Sequence, residues 1–186
     1  MYAAAGGFGL LERAIGYALA AVDTITPQAL SRPTPCAGWD LRMLIDHVND
    51  SLDTLREGVE SGCVGASWPV AETVPDPVTM LRDRAGRLLG AWPRLDSRPI
   101  LIAGRPMPAW IVAATGAIEI AVHGWDIAQA GDSDKPIPGE LAMDLLEICP
   151  LVVTDGTRYQ VFAAPVAVPP RACPGDQLVA LLGRTP

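Results

Sequence analysis

The sequence predicts an all-α protein, a four-helix bundle with a long crossover and a short C-terminal extension. Three observations carry that expectation. Several long stretches repeat their apolar residues at the helical spacing of three and four. The segments between them are punctuated by proline and glycine, which end helices rather than continue them. Finally, the stretch from Ala113 to Gly131 contains no proline and reads as the central part of a helix around which the rest is organised.

The elements follow in order. From Phe8 to Ile25 the apolar residues Leu10, Leu11, Ala14, Ile15, Ala18, Leu19 and Val22 keep a helical period, and Pro27 lies just beyond. Arg32 to Gly38, with two prolines, reads as a rigid extended link. Asp40 is a good N-cap for a second helix, and Trp39 is placed to staple against Leu44. That helix presents Leu41, Leu44, Ile45, Val48, Leu52 and Leu55, with His47 beside the stripe, and should fade near Gly58 to Gly62. Ser61 to Pro77 reads as loop, and Pro77 to Trp92 as a third helix with Arg82, Arg84 and Arg87 on its wet side. Within the proline-punctuated crossover, Pro99 to Gly104 suits a short extended piece. Pro106 and Pro108 open the long fourth helix and Gly131 closes it. A fifth helix is expected from about Pro138 to Cys149, then an extended tail, then a last turn or two of helix over Asp176 to Leu182.

Composition bounds the function. With 186 residues and 49% hydrophobic content, the chain can bury a core as one domain over 1–186, a bundle over about 8–150 with a tail over 151–186. A net charge of −7 and a pI near 4.7 argue against nucleic acid or an anionic membrane as partner. The opening residues lack the positive start of a secretion signal, and no stretch approaches 18 uncharged apolar residues, so a cytoplasmic protein is expected. Cys36, Cys63, Cys149 and Cys173 have irregular spacing and no CxxC pair, and are most simply read as reduced thiols.

The central stretch carries the chemistry. Glu119 and His123 stand four residues apart, and Asp126 follows three residues after His123, so all three share one helical face. The other histidine of the chain is His47, in the second helix. If that helix packs on the fourth, His47, Glu119 and His123 form two imidazoles and a carboxylate with a coordination position left open, the pattern of a catalytic zinc site. Asp126 would then orient His123 from behind. Trp39, Ile118, Val122 and Trp125 are the expected apolar walls. Plainer readings compete: Glu119 and His123 as an ordinary i,i+4 pair, Asp126 as a capping carboxylate, and Cys36 as a small buried apolar residue.

Three segments also carry a resemblance. Thr34-Pro-Cys-Ala-Gly-Trp-Asp-Leu-Arg-Met-Leu-Ile-Asp-His47, Glu119-Ile-Ala-Val-His-Gly-Trp-Asp-Ile-Ala-Gln-Ala-Gly131 and Leu181-Leu-Gly-Arg-Thr-Pro186 resemble an actinobacterial group. It is the DinB-like proteins related to the metal-binding domain of mycothiol-dependent maleylpyruvate isomerase. The resemblance covers nearly the whole chain. It implies a DinB-like bundle with a divalent metal, commonly zinc, and places the family's ligands on His47, Glu119 and His123. The isomerase carries a further C-terminal domain where this chain has a short tail.

The leading expectation is a metal-dependent enzyme using mycothiol or another small thiol, an S-transferase or thiol-assisted isomerase acting on a small electrophile. A rival is a metal-independent or hydrolytic enzyme of a specialised biosynthetic pathway, with His47 and Glu119 as acid and base. A third is a non-catalytic protein that binds a metal or small molecule. The expected partners are a small-molecule substrate and a second copy of the chain in a homodimer, with neither nucleic acid nor membrane.

Overall fold

A computed structural model describes residues 5–65, 76–94, 98–154 and 162–186. The described residues are mainly helical: α1 (Ala5–Val22), α2 (Leu41–Ser61), α3 (Pro77–Ala91), α4 (Ala109–Ala130), α5 (Gly139–Val152) and α6 (Pro174–Leu181). A small three-stranded sheet, which an all-α expectation lacks, joins β1 (Cys63–Val64), β2 (Ile100–Ile102) and β3 (Arg105–Met107). β1 runs parallel to β2 with Cys63 opposite Leu101, and β2 pairs antiparallel with β3, Ile100 opposite Met107. Ala103 and Gly104 link the hairpin with positive φ at both positions, the turn that suits the twist of a tight hairpin. Only Pro99 to Gly104 hinted at this sheet in the sequence, because two- and three-residue strands show no period.

α4 is the core helix. Its apolar character runs all round, and α1, α2 and α5 all pack on it, while α3 closes the ring by touching both α1 and α2. By length and composition α4 could cross a membrane, but 83% of its apolar window is buried inside the protein. Residues such as Leu11, Ile15, Leu44, Ile45, Leu52, Leu81, Leu88, Ile118, Ile120 and Ile127 are fully buried, each stabilising the fold by about 1.5–3 kcal/mol relative to exposure. α1 and α4 approach closely because small residues face each other. A Cβ on Gly124 would sit 3.0–3.1 Å from Tyr17 and Ala18, so any larger residue there would push the helices apart.

Several ends follow local chemistry. Asp40 caps α2 by accepting from the Met43 amide at 2.8 Å, and left-handed Gly62 closes it. Asp76 caps α3 through the Val78 amide and the Thr79 hydroxyl. Other ends depart from expectation. α4 begins at Ala109, and Pro106 lies in β3 instead of the helix start. Gly131 ends α4 with φ −84°, not as a left-handed cap. α1 stops at Val22, and α5 continues past Cys149 with Pro150 inside it. Arg82 and Arg87 are exposed as expected, but Arg84 is largely covered and bonds Asp53 at 2.9 Å, tying α3 to α2.

The link before α2 is not extended. Pro33 bridges back to Asp40, and the Thr34 hydroxyl accepts from the Cys36 amide at 3.2 Å. This folded turn holds Cys36 and Trp39 against α2 and α4. Much of the loop expected over Ser61 to Pro77, and the start of the tail at Tyr159, lie outside the described residues. Beyond them Phe162 packs on the core, Val166 donates to the Ala180 carbonyl at 2.9 Å, and α6 rests on α5.

Candidate metal centre

The site forms where α2 crosses α4. Gly116 lets them meet: a Cβ there would lie 2.7 Å from a Leu55 methyl. One helical turn further along, the His47 Nε2 and a Glu119 oxygen are 3.1 Å apart. The His47 and His123 rings meet edge to face at 5.0 Å between centroids. Ligand atoms of His47, Glu119 and His123 all lie within 4.8 Å of one another, close enough to share one ion. Two imidazoles and a carboxylate match the donor set that zinc takes in open sites. By geometry and chemistry these residues fit a divalent metal.

Each of the three is oriented by a neighbour. Ser51, one turn after His47 on α2, donates to Glu119 at 2.5 Å. The Trp39 ring meets the edge of His47 with centroids 5.0 Å apart. His123 places Nδ1 3.0 Å from Asp126, which leaves Nε2 free for a ligand. Burial pushes the Glu119 carboxyl up, but hydrogen bonds from His47 and Ser51 and the nearby His123 outweigh it and hold the group below its ordinary value. Glu119 is therefore anionic, the state in which a carboxylate ligates.

Behind His123 lies a second cluster. Asp126 is completely buried, and Arg184 reaches it at 3.0 Å from the C-terminal tail. Cys36 Sγ is 3.3 Å from Asp126, 3.6 Å from Arg184 and 3.9 Å from His123 Nδ1. Cys36 is thus part of a polar network and not the small apolar residue its sequence context suggests. Burial and the Asp126 charge push its thiol up to about 11. Cys36, His123 and Asp126 could also hold a metal by distance alone. The Arg184 guanidinium already neutralises Asp126 there, so a second cation would meet repulsion in a buried place.

Arg184 is the residue of this region that sequence reasoning missed. Its only signal was its place in the terminal Leu-Leu-Gly-Arg-Thr-Pro motif. Gly183, at φ +84° and with Ala163 packed where a Cβ would be, turns the chain so that Arg184 points inward.

Of the expected apolar walls, Ile118, Val122 and Trp125 are buried in the core, and Trp39 packs edge to face against His47. The adjoining cavity, about 420 Å³, opens on the other side of His47 and Glu119. Leu55, Val64, Ile102, Met107, Ile111 and Val112 form its apolar surface.

Fold and site together define a mainly helical protein with a three-donor centre suited to a divalent metal, next to an apolar cavity. Comparison with known proteins gives the family. The mycothiol maleylpyruvate isomerase N-terminal domain family matches residues 11–128, and the chain belongs to it. The matched span runs from α1 almost to the end of α4 and includes His47, Glu119, His123 and Asp126. An uncharacterized protein of Mycobacterium tuberculosis is 26% identical over 179 residues, covering 94% of this chain and 95% of its own length, in strain CDC 1551 / Oshkosh and in strain ATCC 25618 / H37Rv. No solved structure matches the chain.

Proposed function

We propose that the protein is a metal-dependent enzyme that joins a low-molecular-weight thiol, mycothiol or a close equivalent, to a small electrophile, or uses the thiol to isomerise it. The observation that carries this reading is the convergence of His47, Glu119 and His123 beside an open cavity. Membership of a mycothiol-associated family supports the choice of thiol. The mutual contacts of α1, α2, α3 and α4 fit the DinB-like bundle in which such a centre sits.

His47, Glu119 and His123 would hold the ion, which we take to be zinc. When bound, zinc supplies a Lewis acid that lowers the pKa of a small thiol. The chain's own residues do the positioning. Asp126 accepts from His123 Nδ1, keeping its other nitrogen forward, and Ser51 and Trp39 restrain Glu119 and His47. In transfer a sulfur–carbon bond forms as the electrophile's π bond, or its bond to a leaving group, breaks, and the thiol proton passes to the adduct or departs with the leaving group. In isomerisation the sulfur–carbon bond forms at the expense of the π bond, the adduct rotates, and the bond breaks again to restore the π bond and return the thiol. A soft thiolate and an apolar electrophile both suit a cavity whose surface is mostly hydrocarbon.

Elemental analysis of protein purified without added metal or chelator tests the reading. About one divalent ion per chain is expected. His47→Ala and His123→Ala should each lose it and, with it, turnover of thiol plus electrophile. Full metal occupancy in both variants would refute the three-donor site. Metal without any thiol-dependent turnover would leave a binding protein instead of an enzyme.

A further inference from the structure

The cavity next to the centre has an electrostatic character that restricts what it can take. Among the described residues that line it there is no lysine or arginine. Its ionisable groups are His47, Asp50 and Glu119. Ser51, Thr54 and Thr115 add hydroxyls, but Ser51 already donates to Glu119, Thr54 to the Asp50 carbonyl and Thr115 to the Ile111 carbonyl. Arg84, beside Asp50, is held by Asp53 at 2.9 Å and Asp50 at 3.5 Å and is not among the lining residues. The opposite wall is the short sheet and the start of α4, through Val64, Ile102, Met107 and Ile111.

Charge balance then decides the substrate class. A divalent ion on Glu119 leaves one positive charge, and a thiolate at the open position would cancel it. None of the described lining residues is a lysine or arginine that could receive an anionic second substrate, and Arg105, opposite Ile102 in the ladder, is exposed and outside that lining. A carboxylate placed against Ile102, Met107 and Ile111 would lose its hydration without a partner, which costs several kcal/mol for a charged group. A hydrocarbon or neutral aromatic group, in contrast, gains from covering the same surface.

We infer that the electrophile is an uncharged, apolar small molecule, and that the cavity discriminates against mono- and dicarboxylates. This inference rests on the proposed thiol-transfer reading for the word electrophile, but the selectivity belongs to the cavity and can be measured without turnover. Asp50 strengthens the exclusion at the mouth, where it is exposed. Thr115 and Ile111, on the outward turn of α4, set how much room is left.

The test uses two fluorescent probes that differ by one charge, N-phenyl-1-naphthylamine and its 8-sulfonate. Both are titrated into the zinc-loaded full chain with a small thiol present, and metal content is measured on the same samples. The uncharged probe should bind roughly tenfold or more tightly than the sulfonate, the direction set by desolvating an unpaired anion. Ile111→Trp should fill the cavity and abolish binding of the uncharged probe, and Thr115→Trp, on an exposed position, should do the same if Ile111→Trp folds poorly. Asp50→Lys should narrow the preference by admitting the sulfonate. Equal or tighter binding of the sulfonate to the wild type would overturn the inference, as would binding that neither tryptophan moves, or no binding at all. Loss of the metal reading would appear separately, as protein that never takes up zinc.

Discussion

On one side of His123, Asp126, Arg184 and Cys36 form a buried cluster whose charges cancel. On its other side, His47 and Glu119 face the cavity, with no lysine or arginine among its described lining residues. The same ring serves both. Asp126 is wholly covered and Arg184 nearly so, whereas the side chains of His47 and Glu119 keep 38% and 27% of their surface. The difference teaches that donor geometry alone does not choose a metal site. Both clusters place three donors close together, but only the one without a resident guanidinium has charge left for an ion.

Removing one charge from each side should expose this contrast most strongly. In metal-free protein, Arg184→Met leaves the buried Asp126 carboxylate without its guanidinium, with only His123 and Cys36 as partners, and should destabilise the fold by about 3 kcal/mol. Glu119→Gln, on the half-open side, should cost less than about 1 kcal/mol in the same urea titration. Comparable losses at the two positions would erase the distinction. Acid sharpens it. Burial raises the Asp126 carboxyl, but His123 and Arg184 outweigh that and hold it below its ordinary 3.8. A depressed folded-state value contributes stability above that range, which is lost as pH falls through the lowered value. In Arg184→Met the burial is less opposed, so stability should be lost at a higher pH than in the wild type.

A smaller effect links the two sides. Asp126→Asn should keep the metal site assembled but weaken metal affinity roughly 10–100-fold, as loss of a residue behind a ligating histidine usually does. Competition with a chromophoric chelator measures it. Complete metal loss would make Asp126 a ligand itself, and unchanged affinity would sever the link between the clusters.

The mildest test concerns Cys36. With its thiol pushed up to about 11, it is almost entirely protonated at neutral pH, and it is partly covered. Exposed Cys173 should therefore react with a thiol reagent well before Cys36, as mass mapping of a short labelling pulse would reveal. Cys36→Ser should leave metal content unchanged, since the back cluster is already charge-balanced. Rapid labelling of Cys36 would mean that its network with Asp126 and Arg184 is open in solution.

Much of the secondary structure was determined by the sequence alone, because its causes are local. The period of α1, α2 and α4, the capping carboxylate of Asp40 and the proline at the start of α3 act within a turn or two of themselves. The shared face of Glu119, His123 and Asp126 follows from helix geometry in the same way. Tertiary structure decided the rest. Whether His47 meets Glu119 depended on α2 packing against α4, which Gly116 permits through a contact invisible in either helix alone. The β1–β2 pairing joins residues far apart in the chain, and strands so short carry no pattern. Ile118, Val122 and Trp125 flank the functional residues in sequence, and only the packing of α4 against its neighbours shows all three to be buried in the core. Arg184 lies 58 positions from Asp126, so only the folded tail could bring a guanidinium to the buried carboxylate. That placement fixes the charge of the cluster behind His123, because an ion pair is set by distance in space and not by distance along the chain.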